Sequence, residues 1–227
     1  MTQNTKQARS NQPLRAILWD LDGVLIDSEP GYFWAIGDMM RSLGYTYGKE
    51  ESAKVAGTSF KNVVEILALD EPPQKVQALY IEALMSAVKT QVSGLIAGAA
   101  AFLDQLQAQG IPMALGSSSP RQLVDLVVER FNLAPWMSAI VTGDDAQSGK
   151  PSPEIFLKCA ALLGVEPQDC LVIEDSLNGI QAAKNANMAV CAFTGTNHQG
   201  LDLSAADFSI DSYSDENLKI LIKMMGR

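Results

Sequence analysis

Short, unbroken apolar runs, each ending abruptly in charged or glycine-rich sequence, constrain this chain more than any other feature. Ala16, Ile17, Leu18 and Trp19 form the first, stopped by Asp20. Runs without polar alternation suit strands buried on both faces, as in a parallel sheet; a one-sided antiparallel strand would alternate. Further runs at 112–115, 139–141, 171–173, 189–193 and 208–210 are separated by stretches of helical period at 98–109, 120–131, 153–163 and 177–186, with a last helix from Asp215. Such alternation predicts an α/β fold with a doubly wound, Rossmann-like parallel sheet. From 30 to 91 the period is helical throughout, carried by residues such as Ile36, Met39, Met40, Val63, Leu67, Val76, Tyr80 and Leu84. An all-helical insertion therefore separates the first strand from the others. The expected division is a disordered tail at 1–14, a core of 15–29 and 93–227, and a helical unit at 30–92. Phe33 is assigned to the core of that unit, while Tyr32 and Trp34 stay open between packing and stacking on a ligand.

With 47% hydrophobic residues in 227, the chain can bury a sizeable core. Its 17 Lys and Arg against 26 Asp and Glu leave a net charge of −9, which argues against nucleic acid or anionic membrane as a partner. The single histidine, His198, excludes any site that needs two imidazoles. Cys159, Cys170 and Cys191 are too few and too far apart for a disulfide scaffold or a paired-cysteine metal site, so they read as reduced thiols. The uncharged run at 94–103 is half of the roughly 20 residues that a spanning helix needs. No signal-peptide pattern precedes the first strand. A cytoplasmic monomer without a membrane or nucleic-acid partner is expected.

Ligands of open parallel sheets bind beyond the carboxyl ends of the strands. There the sequence has Asp20-Leu21-Asp22-Gly23 after the first strand, Gly116-Ser117-Ser118-Ser119-Pro120 after the second, Gly149-Lys150-Pro151 following the third, and Glu174-Asp175-Ser176 after the fourth. Each segment alone has an ordinary explanation: a turn, a Ser cap for the next helix, a surface lysine, or acids favouring a helix N-terminus. Together they bring four carboxylates to one rim, where each close pair repels by roughly 3 kcal/mol at about 5 Å and an effective dielectric near 20. Something cationic must hold them. Mg²⁺ with oxygen ligands answers that, Lys150 adds a second positive charge, and the donors of Ser117 and Ser118 point to an oxyanion substrate group.

In order and spacing these segments resemble the haloacid-dehalogenase-like superfamily, in its phosphatase and β-phosphoglucomutase branch with a helical cap. The motifs are WDLDGVLIDSEP at 19–30, Ser117 after a hydrophobic strand, Lys150 within GKPSPEIF at 149–156, and Glu174-Asp175 within IEDSLNGI at 173–180. The resemblance implies a phosphomonoesterase in which Asp20 is the nucleophile that becomes an aspartyl-phosphate and Asp22 the general acid and then base. It implies Mg²⁺ held by Asp20, the backbone carbonyl of Asp22, Asp175 and, as an additional or outer ligand, Glu174. Ser117, Lys150 and the backbone N–H groups of Leu21 and Ser118 would hold the phosphoryl oxygens, and the inserted helices would close over a small-molecule phosphate ester, a sugar or polyol phosphate. Haloacid dehalogenases need no second acid and no metal, so Asp22 and Glu174-Asp175 count against that chemistry. A mutase of the β-phosphoglucomutase type carries a His where this chain has Tyr32 and an Arg near Phe60, a role that Lys61 could partly take. Hydrolysis is therefore preferred to the mutase. A non-catalytic phosphate binder would be expected to have lost one motif.

Overall fold

The computed structural model describes residues 13–55, 60–196 and 200–227. Among them a single parallel sheet runs in the order β3-β2-β1-β4-β5-β6. The strands are β1 (Ala16–Trp19), β2 (Met113–Gly116), β3 (Ala139–Val141), β4 (Cys170–Glu174), β5 (Ala189–Phe193) and β6 (Phe208–Ile210). Helices α1 (Glu29–Ser42), α2 (Lys49–Val55), α3 (Phe60–Ile66), α4 (Pro73–Thr90) and α5 (Ala99–Ala108) lie between β1 and β2. They are followed by α6 (Arg121–Arg130), α7 (Glu154–Leu163), α8 (Leu177–Asn185) and α9 (Asp215–Met224). This is the doubly wound architecture that the apolar runs predict.

Successive strand residues face two different cores, which is why these strands carry no polar alternation. Leu18, Ala114, Val172 and Val190 pack with Phe156 of α7 and Ile180 of α8. On the opposite face Ile17, Trp19, Leu115 and Ile173 pack with Phe102 of α5, Leu123 of α6 and Leu221 of α9. Strand β1 has β2 on one side and β4 on the other, so the chain winds outward from it in both directions. The crevice of a doubly wound sheet opens at that reversal. Strand β4 is longer than its apolar run suggests, because Glu174 pairs in the sheet with Ala192.

Helix α1 packs along α4, and α4 reaches α6. On α4 the buried residues Val76, Tyr80, Ala83, Leu84, Ala87 and Val88 recur at the three- and four-residue spacing of one helical face. The two chain crossings into this segment are tied together by an antiparallel bridge between Ile26 and Leu95 and by the bond from Ile96 N to Leu25 O at 2.9 Å.

Two expectations need correction. Phe33 is 47% exposed and lies edge-on to Tyr47, with ring centroids 5.9 Å apart; periodicity identifies a face, but cover depends on what lies opposite. Leu14, assigned to the tail, is buried, and its N–H bonds Met224 O at 2.9 Å, because the end of α9 covers the approach to β1. His198 and residues 57–59 lie outside the described residues, as do the side chains of Phe60 and Lys61. Cys159, Cys170 and Cys191 are buried free thiols. Among the described residues no helix is long and apolar enough to cross a membrane.

Candidate active site

Lys150 is not a surface lysine. Its side chain is 6% exposed, against 8% for Asp20 and 1% for Glu174. The ammonium contacts Asp20 Oδ1 and lies 2.8 Å from Glu174 Oε1 and 3.1 Å from Gly116 O. Its three protons thus have three acceptors, supplied by the ends of β1, β4 and β2. Burial works against the charge on Lys150, but Asp20 and Glu174 outweigh it and hold the pKa above the usual lysine value. The stem also sets the ammonium 4.6 Å above the Phe156 ring.

Nor do the serines cap a helix. Helix α6 begins after Pro120 with no side-chain cap, which leaves the hydroxyls to the site. Ser117 is buried and its Oγ accepts the Ser119 N–H at 3.0 Å. Ser119 Oγ donates to Asp22 Oδ2 at 2.9 Å and lies 3.2 Å from the Tyr32 hydroxyl. Ser118 has an exposed side chain. The N–H groups of Leu21 and Ser118 donate to no described residue, and both follow strand ends where phosphoryl oxygens are expected.

Two glycines make room for the acids. Gly23 has φ +77°, and a Cβ there would sit 1.9 Å from Asp175 Oδ2; its carbonyl is fixed by the Thr196 hydroxyl. At Gly179 a Cβ would come within 1.6 Å of Glu174 Oε1. Ser176 caps α8 by accepting the Gly179 N–H at 3.0 Å, while its own N–H and hydroxyl donate to Glu174 Oε2 at 2.8 and 3.0 Å. Glu174 is therefore bonded at both oxygens. Of the additional or outer ligand roles that the resemblance implies for it, Lys150 and Ser176 leave the outer one as the better fit. Replacing Gly179 by Ala should push Glu174 off Lys150 and destabilise the fold by about 1–3 kcal/mol, the usual scale of overpacking. Urea denaturation checks this, and an unchanged midpoint would mean that Glu174 has room to move.

The remaining acids lack enough positive charge. Burial pushes the Asp175 carboxyl up to about 9, with the charges of Asp20, Glu174 and Asp22 adding to it and Lys150 opposing. Burial also raises Asp20, against Lys150 and with Glu174 and Asp22. Direct contact with the ammonium favours the ionised form of Asp20, a partner that Asp175 lacks. Among the described residues no three acidic, histidine or cysteine side chains form a ready-made metal cage. The donors nevertheless suit a hard cation: Asp20 Oδ2, both Asp175 oxygens and the Asp22 carbonyl accept no hydrogen bond from described residues.

Beside Asp22 a narrow pocket is walled by Leu84 and Val88 of α4, by Leu123 and Val127 of α6, and by Tyr32 and Ser119 at its polar end. Sequence reasoning missed Ser119, Ser176 and Thr196. The serines stood inside quoted motifs but lacked a sign distinguishing ligand from support, and Thr196 carried no motif at all.

The chain is similar to known proteins over most of its length. The family model for haloacid dehalogenase-like hydrolases matches residues 17–193. The chain is 33% identical over 179 residues to hexitol phosphatase B of Escherichia coli K12, covering 76% of this chain and 80% of that one. It is 35% identical over 213 residues to a bifunctional riboflavin kinase/FMN phosphatase of Arabidopsis thaliana; the match covers 89% of this chain but only 54% of the relative. A HAD family hydrolase from Deinococcus radiodurans, solved with bound phosphate and sodium, superposes with a TM-score of 0.73 at 28% identity, over 94% of this chain and 97% of that one. With its four motifs gathered around one buried lysine and the family match running from β1 through β5, the chain belongs to the haloacid dehalogenase-like hydrolases.

Proposed function

We propose that this hydrolase is a Mg²⁺-dependent phosphomonoesterase acting on a small phosphorylated metabolite, a sugar or polyol phosphate, through an aspartyl-phosphate on Asp20. The carrying observation is that Asp20 meets the Lys150 ammonium while Asp22, two residues on, is held by Ser119 on the side of the pocket. One carboxylate is thus set for phosphorus and the other for the ester oxygen. Asp20 attacks phosphorus and the P–O bond to the leaving group breaks as Asp22 gives that oxygen its proton. Asp22 then takes a proton from water, which attacks phosphorus, releases phosphate and regenerates Asp20. Ser117, Lys150 and the N–H groups of Leu21 and Ser118 hold the phosphoryl oxygens and stabilise the charge that builds on them.

Asp20, Asp175 and the Asp22 carbonyl would hold Mg²⁺, with Glu174 outside them. The ion supplies charge neutralisation at the phosphoryl oxygens. Residues 30–92 act as the cap: the narrow pocket beside Asp22 is walled by α4 of this segment and α6 of the core, so movement of one against the other would open or close it to a sugar phosphate. The hexitol phosphatase and the FMN phosphatase among the relatives have different leaving groups, which agrees with a cap that sets substrate choice.

A phosphate-release screen over sugar, polyol, nucleotide and glycolate phosphates tests the reading. Release that requires Mg²⁺, stops with chelator and is most efficient on a sugar or polyol ester is expected; silence on every ester would overturn it. With β-glucose 1-phosphate and catalytic bisphosphate, free phosphate rather than glucose 6-phosphate should accumulate. The metal has a second readout. Burial and the neighbouring carboxylates push the Asp175 carboxyl up to about 9 in the metal-free fold, against its ordinary value of 3.8. The native state binds the extra proton throughout that window, so the metal-free protein loses stability as pH rises through it. Mg²⁺ should therefore raise the melting temperature more at about pH 8.5 than at about pH 6; an equal rise at both would count against Asp175 as a ligand.

A further inference from the structure

Three segments far apart in sequence meet at Asp22. Ser119, in the loop after β2, donates its hydroxyl proton to Asp22 Oδ2 at 2.9 Å, and the Tyr32 hydroxyl, in the first turns of α1, lies 3.2 Å from the same Ser119 oxygen. A serine hydroxyl has one proton. Because that proton goes to Asp22, the bond between Tyr32 and Ser119 runs from the phenol to the serine, and the phenol also faces Asp22 itself, so both hydroxyls are gathered on one carboxylate. The Ser119 backbone cannot shift to compensate. Its N–H bonds Ser117 Oγ at 3.0 Å and its carbonyl accepts the Gly143 N–H at 3.0 Å. Gly143 admits no looser fit, since a Cβ there would lie 2.4 Å from Ser118 O.

We infer that Ser119 and Tyr32 are positioning residues for the general acid: Ser119 fixes one oxygen of Asp22, and Tyr32 fixes Ser119 only while the helical segment is seated on the core. The inference rests on the phosphatase reading above. With Oδ2 accepting from Ser119, the proton that Asp22 transfers is carried on Oδ1, so the pair selects which oxygen faces the ester. It also ties acid alignment to the seating of α1. Substrate enclosure and a correctly turned acid then arrive in one motion, and an open enzyme has a poorly aligned Asp22.

Two substrates separate this role from a general loss of structure. An alkyl phosphate needs Asp22 in both half-reactions, whereas p-nitrophenyl phosphate has a leaving group that departs without a proton and needs Asp22 only for hydrolysis of the intermediate. Ser119→Ala should lower kcat on the alkyl ester about 10- to 100-fold, part of the 10²–10⁴ that general acid–base catalysis contributes, with KM within about twofold. On p-nitrophenyl phosphate the same variant should release a rapid burst approaching one nitrophenolate per active site before a slow steady state. Tyr32→Phe should follow with a smaller effect, and Ser119→Thr, which keeps the hydroxyl, should restore most of the rate. A burst slowed as much as the steady state, or full alkyl activity in both Ser119→Ala and Tyr32→Phe, would overturn the inference. An inactive parent enzyme would instead overturn the phosphatase reading, and this inference with it.

Discussion

Asp20→Asn should abolish phosphate release, lowering kcat by at least about 10⁴-fold, the scale on which loss of a covalent nucleophile falls in other hydrolases. The substitution preserves shape. It also keeps an oxygen for the Lys150 ammonium, which contacts Asp20 Oδ1. What it removes is the ionised oxygen that Lys150 and the strand end present to phosphorus, since an amide does not form the acyl-phosphate bond. Acid quenching of the parent enzyme during turnover should trap one phosphoryl group on the peptide that carries Asp20, and the variant should trap none. Because Ser117, Lys150 and the free N–H groups of Leu21 and Ser118 are untouched, the variant should still bind inorganic phosphate. Turnover retained in Asp20→Asn would end the covalent mechanism, even if the protein remained a phosphatase by another route.

The sequence makes the sheet legible because burial on both faces leaves a local mark. A strand such as β1 must be apolar at every position, and Asp20 ends the run at the point where the chain leaves the sheet. The same logic makes the rim legible, since strand ends in a doubly wound sheet converge whatever their sequence separation. The helical segment is legible as helices but not as a packed surface, and Phe33 illustrates why. Its place on a periodic face is a property of α1, whereas its exposure depends on what lies across from it, here only the edge of the Tyr47 ring. The support of the site is the least legible part. Ser119, Ser176 and Thr196 act through hydrogen bonds to residues 97, 2 and 173 positions away, and a hydroxyl on a loop gives no sequence sign of its acceptor. Gly179 is similar: its importance comes from Glu174 lying where a Cβ would be, which is a fact of tertiary contact.

Lys150→Met should be the most damaging single change to stability and should also cost activity on the order of 10²–10³-fold, through loss of a cation aimed at the phosphoryl oxygens. Methionine keeps the apolar stem and loses only the ammonium, including its place over the Phe156 ring, so packing changes little. The effect is electrostatic. Asp20 and Glu174 are left buried and facing each other without the ammonium that bonds both, and removing one partner of a buried ionic set costs about 3–5 kcal/mol. The sign of the pH dependence follows from the same charges. Burial already raises the Asp20 carboxyl and Lys150 opposes that, so without Lys150 Asp20 holds its proton to higher pH than before, while in the unfolded chain it ionises at its ordinary value. The penalty is therefore full where unfolded Asp20 is charged and native Asp20 resists ionisation, and it shrinks as acid protonates both states. Denaturant titrations of parent and variant should differ most at about pH 8 and converge toward about pH 4. Lys150→Arg should restore part of the stability but little of the activity, because a planar guanidinium cannot direct its donors at three acceptors around one point. A gap between parent and variant that is the same at both pH values would assign the role of Lys150 to packing rather than to charge.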